Sequence, residues 1–218
     1  MKDPKRIVAD AYDQIGERYL EWRAHQPRQQ ELARWLNLVH EYVKPGAHVL
    51  DAGCGAGIPL TRALTETFDV TGVDISARQI ELARINVPTA RFIHGDVTKL
   101  NFSPASFHAV VACYSLFHIP RDEHVALFRS VGQWLHPGGI LLANFGIGNR
   151  EVDYVEDWLG APLFWSSFDA DGQRAALKAA GFELVFDRVE ATIEDAQPHP
   201  FLLIVARNAK SKGLSEEN

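Results

Sequence analysis

One stretch constrains the rest of the chain: Val49-Leu50-Asp51-Ala52-Gly53-Cys54-Gly55-Ala56-Gly57. It starts as a short apolar, β-branched segment, His48-Val49-Leu50, which predicts a buried strand. Glycine then takes every second position, and Leu60-Thr61-Arg62-Ala63-Leu64 continues in a helical pattern. Strand, glycine turn and helix together bring a ligand against bare backbone and a helix N-terminus. A Cβ in such a turn would fill ligand space, and tight turns call for positive φ. Further strands are predicted behind it. Val70-Thr71-Gly72-Val73-Asp74 ends in an acid about 20 residues past the glycines, where a ribose-binding carboxylate is expected. Phe92-Ile93-His94-Gly95-Asp96 ends in another, and Phe107 to Cys113 makes a fourth strand.

The remaining elements follow from local signals. Asp3-Pro4 opens a helix as N-cap and first helical residue, with Ile7, Ala11, Ile15 and Tyr19 at helical spacing and Tyr12 near the stripe. Pro27 opens a second helix, with Leu32, Trp35, Leu36, Val39 and Val43 on one face, stopped by Lys44-Pro45-Gly46. Ser76 and Gln79 stand at capping-box spacing before another helix, whose buried face holds Ile80 and Ala83. A helix over about 121–135 leads through His136-Pro137-Gly138-Gly139 into a fifth strand, Ile140 to Phe145. Strands alternating with helices imply a parallel, doubly wound sheet.

The pattern then breaks. Residues 146–168 are rich in aromatics (Tyr154, Trp158, Phe164, Trp165, Phe168) and too long for an ordinary connection, which suggests a lid or a satellite packing cluster. A helix over about 170–180 ends at Gly181. Phe182 to Ile193 and Phe201 to Ala206 read as strands with a short join over 194–200, so an antiparallel pair is expected. The reading is one domain over 1–207: a helical cap (1–44), a core (45–145), a lid or acceptor segment (146–168), and a C-terminal helix with antiparallel strands (169–207). Residues 208–218 are expected to form a disordered tail.

Composition enters through what it excludes. With 28 acidic and 22 basic residues, the net charge of −6 argues against a nucleic-acid groove. Two cysteines, Cys54 and Cys113, do not suggest a disulfide framework. The nine histidines show no metal-ligand spacing, so no metal is expected. No apolar run reaches the roughly 18 residues of a membrane span, and the N-terminus leads into an amphipathic helix, so the expectation is a cytoplasmic protein without a membrane partner.

Four motifs in order then carry a resemblance: Asp51 to Gly57, Gly72-Val73-Asp74-Ile75-Ser76, Gly95-Asp96-Val97, and Leu135-His136-Pro137-Gly138-Gly139. Over roughly residues 45–145 they resemble the class I S-adenosylmethionine (SAM) dependent methyltransferases of small-molecule type. The resemblance implies an α/β, Rossmann-like, doubly wound, mostly parallel sheet with an antiparallel last strand, and SAM as cofactor. A dinucleotide fingerprint would need glycine at Ile58 or Leu60, so a nicotinamide-dependent oxidoreductase is disfavoured. A SAM-binding protein without catalysis stays open.

The resemblance also assigns the site. The N–H groups of Gly53 to Gly57, including Gly55, would face the amino-acid end of SAM beside Asp51. Asp74 would take both ribose hydroxyls, and Ile75 would cover an adenine face. Asp96 would accept the adenine amino proton, with the Val97 N–H as complementary donor. Tyr19, with Tyr12 as the second candidate, would reach the methionine carboxylate, and Cys113 would lie against the cofactor. His118, after the fourth strand, is a candidate general base, with a structural histidine as the alternative. Tyr114, Trp158 and Trp165 are candidates for the wall of a pocket holding a small, partly apolar acceptor, with core packing as the alternative.

Overall fold

A computed structural model of the chain describes residues 3–26, 29–194 and 196–209. Helix α1 (Pro4–Ile15) starts at Asp3, whose side chain accepts the Lys5 N–H. It ends earlier than the apolar stripe implied. Gly16, at φ +54°, stops it, and Tyr19 falls in a separate helix, α2 (Arg18–Ala24). The buried face of α1 is Lys5, Val8, Ala11 and Ile15, so Ile7 sits off it. Helix α3 (Gln29–Tyr42) buries Trp35, Leu38 and Val39; its expected start at Pro27 lies outside the described residues.

Strand β1 (His48–Ala52), helix α4 (Leu60–Thr65), strand β2 (Asp69–Asp74), helix α5 (Ala77–Asn86), and strands β3 (Arg91–His94) and β4 (Phe107–Ala112) follow the predicted alternation. Two short 3₁₀ turns, Leu116–His118 and Arg121–Glu123, precede α6 (His124–Trp134), which runs directly into β5 (Leu135–Gly146). Strands β6 (Asp153–Trp158) and β7 (Ala161–Trp165), helix α7 (Ala170–Ala179), and strands β8 (Phe182–Glu194) and β9 (Gln197–Asn208) complete the chain.

The main sheet has the order β3-β2-β1-β4-β5-β9-β8. β1 pairs in parallel with β2 on one side and β4 on the other, while β9 runs antiparallel between β5 and β8. Side chains alternate across it. Val49, Val111 and Leu142 pack with Trp35 and Leu64 on one face. Leu50, Val110 and Leu141 pack with Phe128, Trp134 and Leu177 on the other.

The segment 146–168 holds the hairpin β6–β7, turning at Leu159 (φ +53°) and Gly160 (φ +86°), and packs as a satellite cluster. Two left-handed residues in a two-residue turn suit the twist of the strands. The join of the final strands is shorter than 194–200, because Gln197 to Pro200 belong to β9 and pair with Glu194 to Ala191 of β8. β5 reaches only Phe201 of β9, so the hairpin end projects beyond the sheet. Asn208 is no tail residue either; it is buried and its side-chain amide donates to the Gly132 carbonyl (2.7 Å). The rest of the expected tail, apart from Ala209, lies outside the described residues.

The hairpin has a partner that periodicity did not show. Val8, Ala11 and Ile15 of α1 pack on Ala161, Leu163 and Phe164 of β7, a small core separate from the two sheet faces. Helix α1 and the aromatic segment thus form one cap.

Candidate active site

The carboxyl ends of β1 and β4 flank the point where strand order reverses, the place where open α/β sheets take ligands. A cavity enclosing about 1120 Å³, part of it open to solvent, lies there under the cap. Tyr19, Asp51, Gly53, Gly55, Asp74, Ile75, Asp96, Val97, Cys113, Tyr114 and His118 all line it. Trp158 and Trp165 do not. Trp158 packs edge-on to Tyr12 and Trp22 (5.9 and 5.4 Å between ring centres), and Trp165 stands 5.9 Å from the His118 ring. They support the wall from behind, because the hairpin presents its inner face to α1 and not to the cavity.

The glycine turn works differently from expectation. The N–H groups of Gly53 and Cys54 donate to the Val73 carbonyl (2.8 and 3.0 Å), that of Gly55 to Asp74 Oδ2 (2.8 Å), and that of Gly57 to the Cys54 carbonyl (3.0 Å). These four donors are engaged within the protein. Gly53 is needed because a methyl there would land on Ser115, whose hydroxyl donates to the Ala52 carbonyl (2.6 Å). Gly55 is the open one: the nearest atom to an added Cβ is Gln79 Oε1, at 3.8 Å.

Three carboxylates are graded along the cavity. Asp51 is buried and accepts the Thr61 hydroxyl (2.6 Å); burial pushes its pKa up to about 7, against that bond. Asp74 accepts the N–H of Ser76 (2.9 Å) and of Gly55, one on each oxygen; burial still raises it. Asp96 is held differently. Burial works against its charge, but the Thr98 hydroxyl and N–H and the Lys5 ammonium outweigh burial and hold it below the usual carboxylate range.

The capping box beside Asp74 is half formed. Ser76 Oγ accepts the Gln79 N–H (3.1 Å), but the Gln79 amide reaches the Gly16 carbonyl in the cap (3.1 Å). Its Oε1 stays buried without a hydrogen-bond partner beside the bare face of Gly55.

At the far end, His118 is buried. Its Nδ1 is 2.9 Å from the Phe164 carbonyl and its Nε2 is 3.0 Å from the Tyr12 hydroxyl. A carbonyl only accepts, so Nδ1 carries the proton and Nε2 accepts from the phenol. Burial pushes the imidazole down to about 4, so it is neutral near pH 7. Tyr12 and His118 both line the cavity at this end, with the phenol bonded to Nε2. Tyr114 has φ +57°, a left-handed conformation uncommon outside glycine, and its N–H donates to the buried Asn144 side chain (2.6 Å). Its hydroxyl donates to Glu31 and lies 2.8 Å from the Thr192 hydroxyl. Burial raises both thiols, Cys54 and Cys113, so neither is a thiolate.

Sequence reasoning missed Lys5 and Arg23, both cavity-lining, and the supporting Glu31 and Thr192; Tyr12, weighed beside Tyr19, lines the cavity as well. Lys5 sits on a helix read for its apolar face, and Arg23 on a short helix that was not predicted. A buried lysine in a first helical turn was the available signal only once its acidic partners were placed. Among the described residues no group of three or more metal-ligating side chains comes together, and no helix is long and apolar enough to cross a membrane.

Residues 49–139 match the family model described as a methyltransferase domain. The fold is that of the class I SAM-dependent methyltransferases, and residues 49–139 carry a methyltransferase domain. It is 32% identical over 172 residues to a sterol 24-C-methyltransferase of Gibberella zeae, covering 70% of this chain and 44% of the relative. It is 29% identical over 151 residues to an O-methyltransferase of Pyrenophora dematioidea, covering 65% and 56%. The chain thus spans about half the length of these relatives. The DhpI–SAH complex has the same fold, with a TM-score of 0.73 at 20% identity, over 95% of this chain and 98% of that one.

Proposed function

We propose that the chain binds SAM in this cavity and transfers its methyl group to an O or N atom of a small, partly apolar acceptor, releasing S-adenosylhomocysteine. The observation that carries the reading is the set of acids Asp51, Asp74 and Asp96, at or just past the ends of three adjacent strands and open to one cavity. They suit a ligand with an amine, a ribose and an adenine. Asp74 has a lone pair left on each oxygen for two hydroxyls. The unsatisfied Gln79 Oε1 beside Gly55 wants a donor. Asp51, with its raised pKa, is where an ammonium would restore a carboxylate. Arg23 and Tyr19, from one short helix, suit the carboxylate of the amino-acid end.

SAM supplies an electrophilic methyl on a sulfonium. The chain's part is orientation and proton handling. Trp35, Tyr114 and Leu60 give the acceptor an apolar wall, and alignment in a dry site supplies much of the rate. The Tyr12 phenol can accept the proton of an O–H or N–H acceptor while passing its own to His118 Nε2. Burial of His118 makes it a weak sink, so the reading gives alignment the larger share.

The test is mass spectrometry of small molecules carried by the purified chain, followed by calorimetry with S-adenosylhomocysteine and turnover with methyl-labelled SAM on fractionated extract. Labelled product is expected. Binding without turnover in any fraction would favour a regulatory SAM-binding protein, and no binding of SAM or its product would end the reading.

A further inference from the structure

We propose that Lys5 is a positioning residue of the cofactor site: its ammonium holds Asp96 with one oxygen aimed at the adenine amino group, and the same contact clasps the cap shut over that end. The inference rests on the cofactor reading above. Lys5 is only 8% exposed, and a buried lysine is stable only when paired. Its Nζ reaches Asp96 Oδ2 (3.1 Å), Glu123 Oε2 (2.6 Å) and the Thr98 hydroxyl (2.9 Å). Lys5 lies in the first turn of α1, where the helix dipole disfavours a cation, so helix stability does not explain it. It also lines the cavity beside Asp96, Val97 and Ile119.

Asp96 itself is incomplete. Oδ1 accepts both the N–H and the hydroxyl of Thr98 (2.9 and 2.7 Å). Oδ2 is paired with the Lys5 ammonium (3.1 Å) and at longer range with Lys99 (3.6 Å), and a carboxylate oxygen so held keeps acceptor capacity for one further donor, such as an adenine amino group. Helix α1 packs on β7 in a core of its own and meets the loop after β3 across this end of the cavity. Lys5 is the buried charge that joins them.

The test uses the full chain with S-adenosylhomocysteine and with S-inosylhomocysteine, which carries oxygen where adenine carries its amino group. Affinity is read by calorimetry and dissociation by tryptophan fluorescence, with Trp35 in the cavity wall. The unaltered chain should prefer the adenine compound by about tenfold or more, as expected for a hydrogen bond to a charged group. Lys5→Met should speed dissociation by about tenfold and bring the two ligands within about twofold of each other. Lys5→Arg should restore most of the preference. Glu123→Gln should speed dissociation but keep the preference, because Lys5 still holds Asp96. If Lys5→Met does not fold, unchanged dissociation in Glu123→Gln overturns the clasp. Wild-type behaviour in a folded Lys5→Met, or equal binding of the two ligands by the unaltered chain, overturns it too. A chain that binds neither ligand overturns both the clasp and the cofactor reading.

Discussion

The sheet and the cap differ in how they are built. The sheet is assembled from neighbours: β1 pairs with β2 and β4, and its strand–helix alternation buries Leu50 on one face and Val49 on the other. The cap is assembled from strangers, since Val8 to Ile15 pack on Ala161 to Phe164, some 150 residues away. Polar contacts join the two bodies around the cavity: Lys5 with Asp96, Asp13 with the Ser76 hydroxyl (2.6 Å), Gln79 with Gly16, and Tyr12 with His118. Polar contacts are easier to exchange for ligand or water than packed side chains are, so the seam is where opening is least costly.

The strongest way to break this comparison is a matched pair of truncations. Phe128→Ala, in the sheet core, should lower global stability by about 3–5 kcal/mol in a denaturant titration. Leu163→Ala, equally buried but in the cap, should instead raise hydrogen exchange along α1 while β1 and β4 amides keep their protection. Uniform loss of protection in both variants would mean that cap and sheet open as one.

Next in size is Asp74→Ala, which removes an acceptor of the sheet side of the seam. S-adenosylhomocysteine should bind about 1.5–3 kcal/mol more weakly by calorimetry. Unchanged affinity would remove Asp74 from the cofactor site.

The effect that is smallest per step of the experiment is pH linkage. His118 sits at about 4 in the folded chain against an ordinary 6.5, so its contribution is full above 6.5 and is lost as pH falls towards 4. Asp51 sits at about 7 against an ordinary 3.8, so its contribution is full below 3.8 and is lost as pH rises towards 7. Between pH 4 and 6.5 these two slopes oppose and largely offset each other. His118→Gln should unmask the Asp51 slope. Relative to the unaltered chain, the variant should lose about 1–1.5 kcal/mol per pH unit as pH rises through that window, seen in denaturation midpoints. A variant with the unaltered chain's pH profile would show that the cap does not bury His118 in solution.

Much of the sheet was legible because its signals are local. Alternate glycines, an acid at the end of β2, Ser76 ahead of α5 and Gly181 after α7 each act within a few residues. The hairpin β6–β7 was not, because its turn is Leu159-Gly160 without the usual Asn or Asp, and its register shifts between Val155 and Trp158. The tryptophan positions stayed open between pocket wall and core packing for a related reason: an aromatic residue in an unassigned segment gives no side, and the hairpin packs Trp158 and Trp165 against the cap core.

The amino-acid order by itself determined the parallel core, the place of the cavity at the ends of β1, β2 and β4, and the three acids that line it. Each depends on hydrogen bonding and periodicity over short spans. Only the tertiary structure decided that four of the turn's N–H groups are internally satisfied, that the histidine is neutral with both nitrogens engaged, and that a lysine from the first helix meets an acid past the third strand. Charge state and hydrogen-bond capacity depend on burial and on partners distant in sequence, and neither exists until the chain has folded.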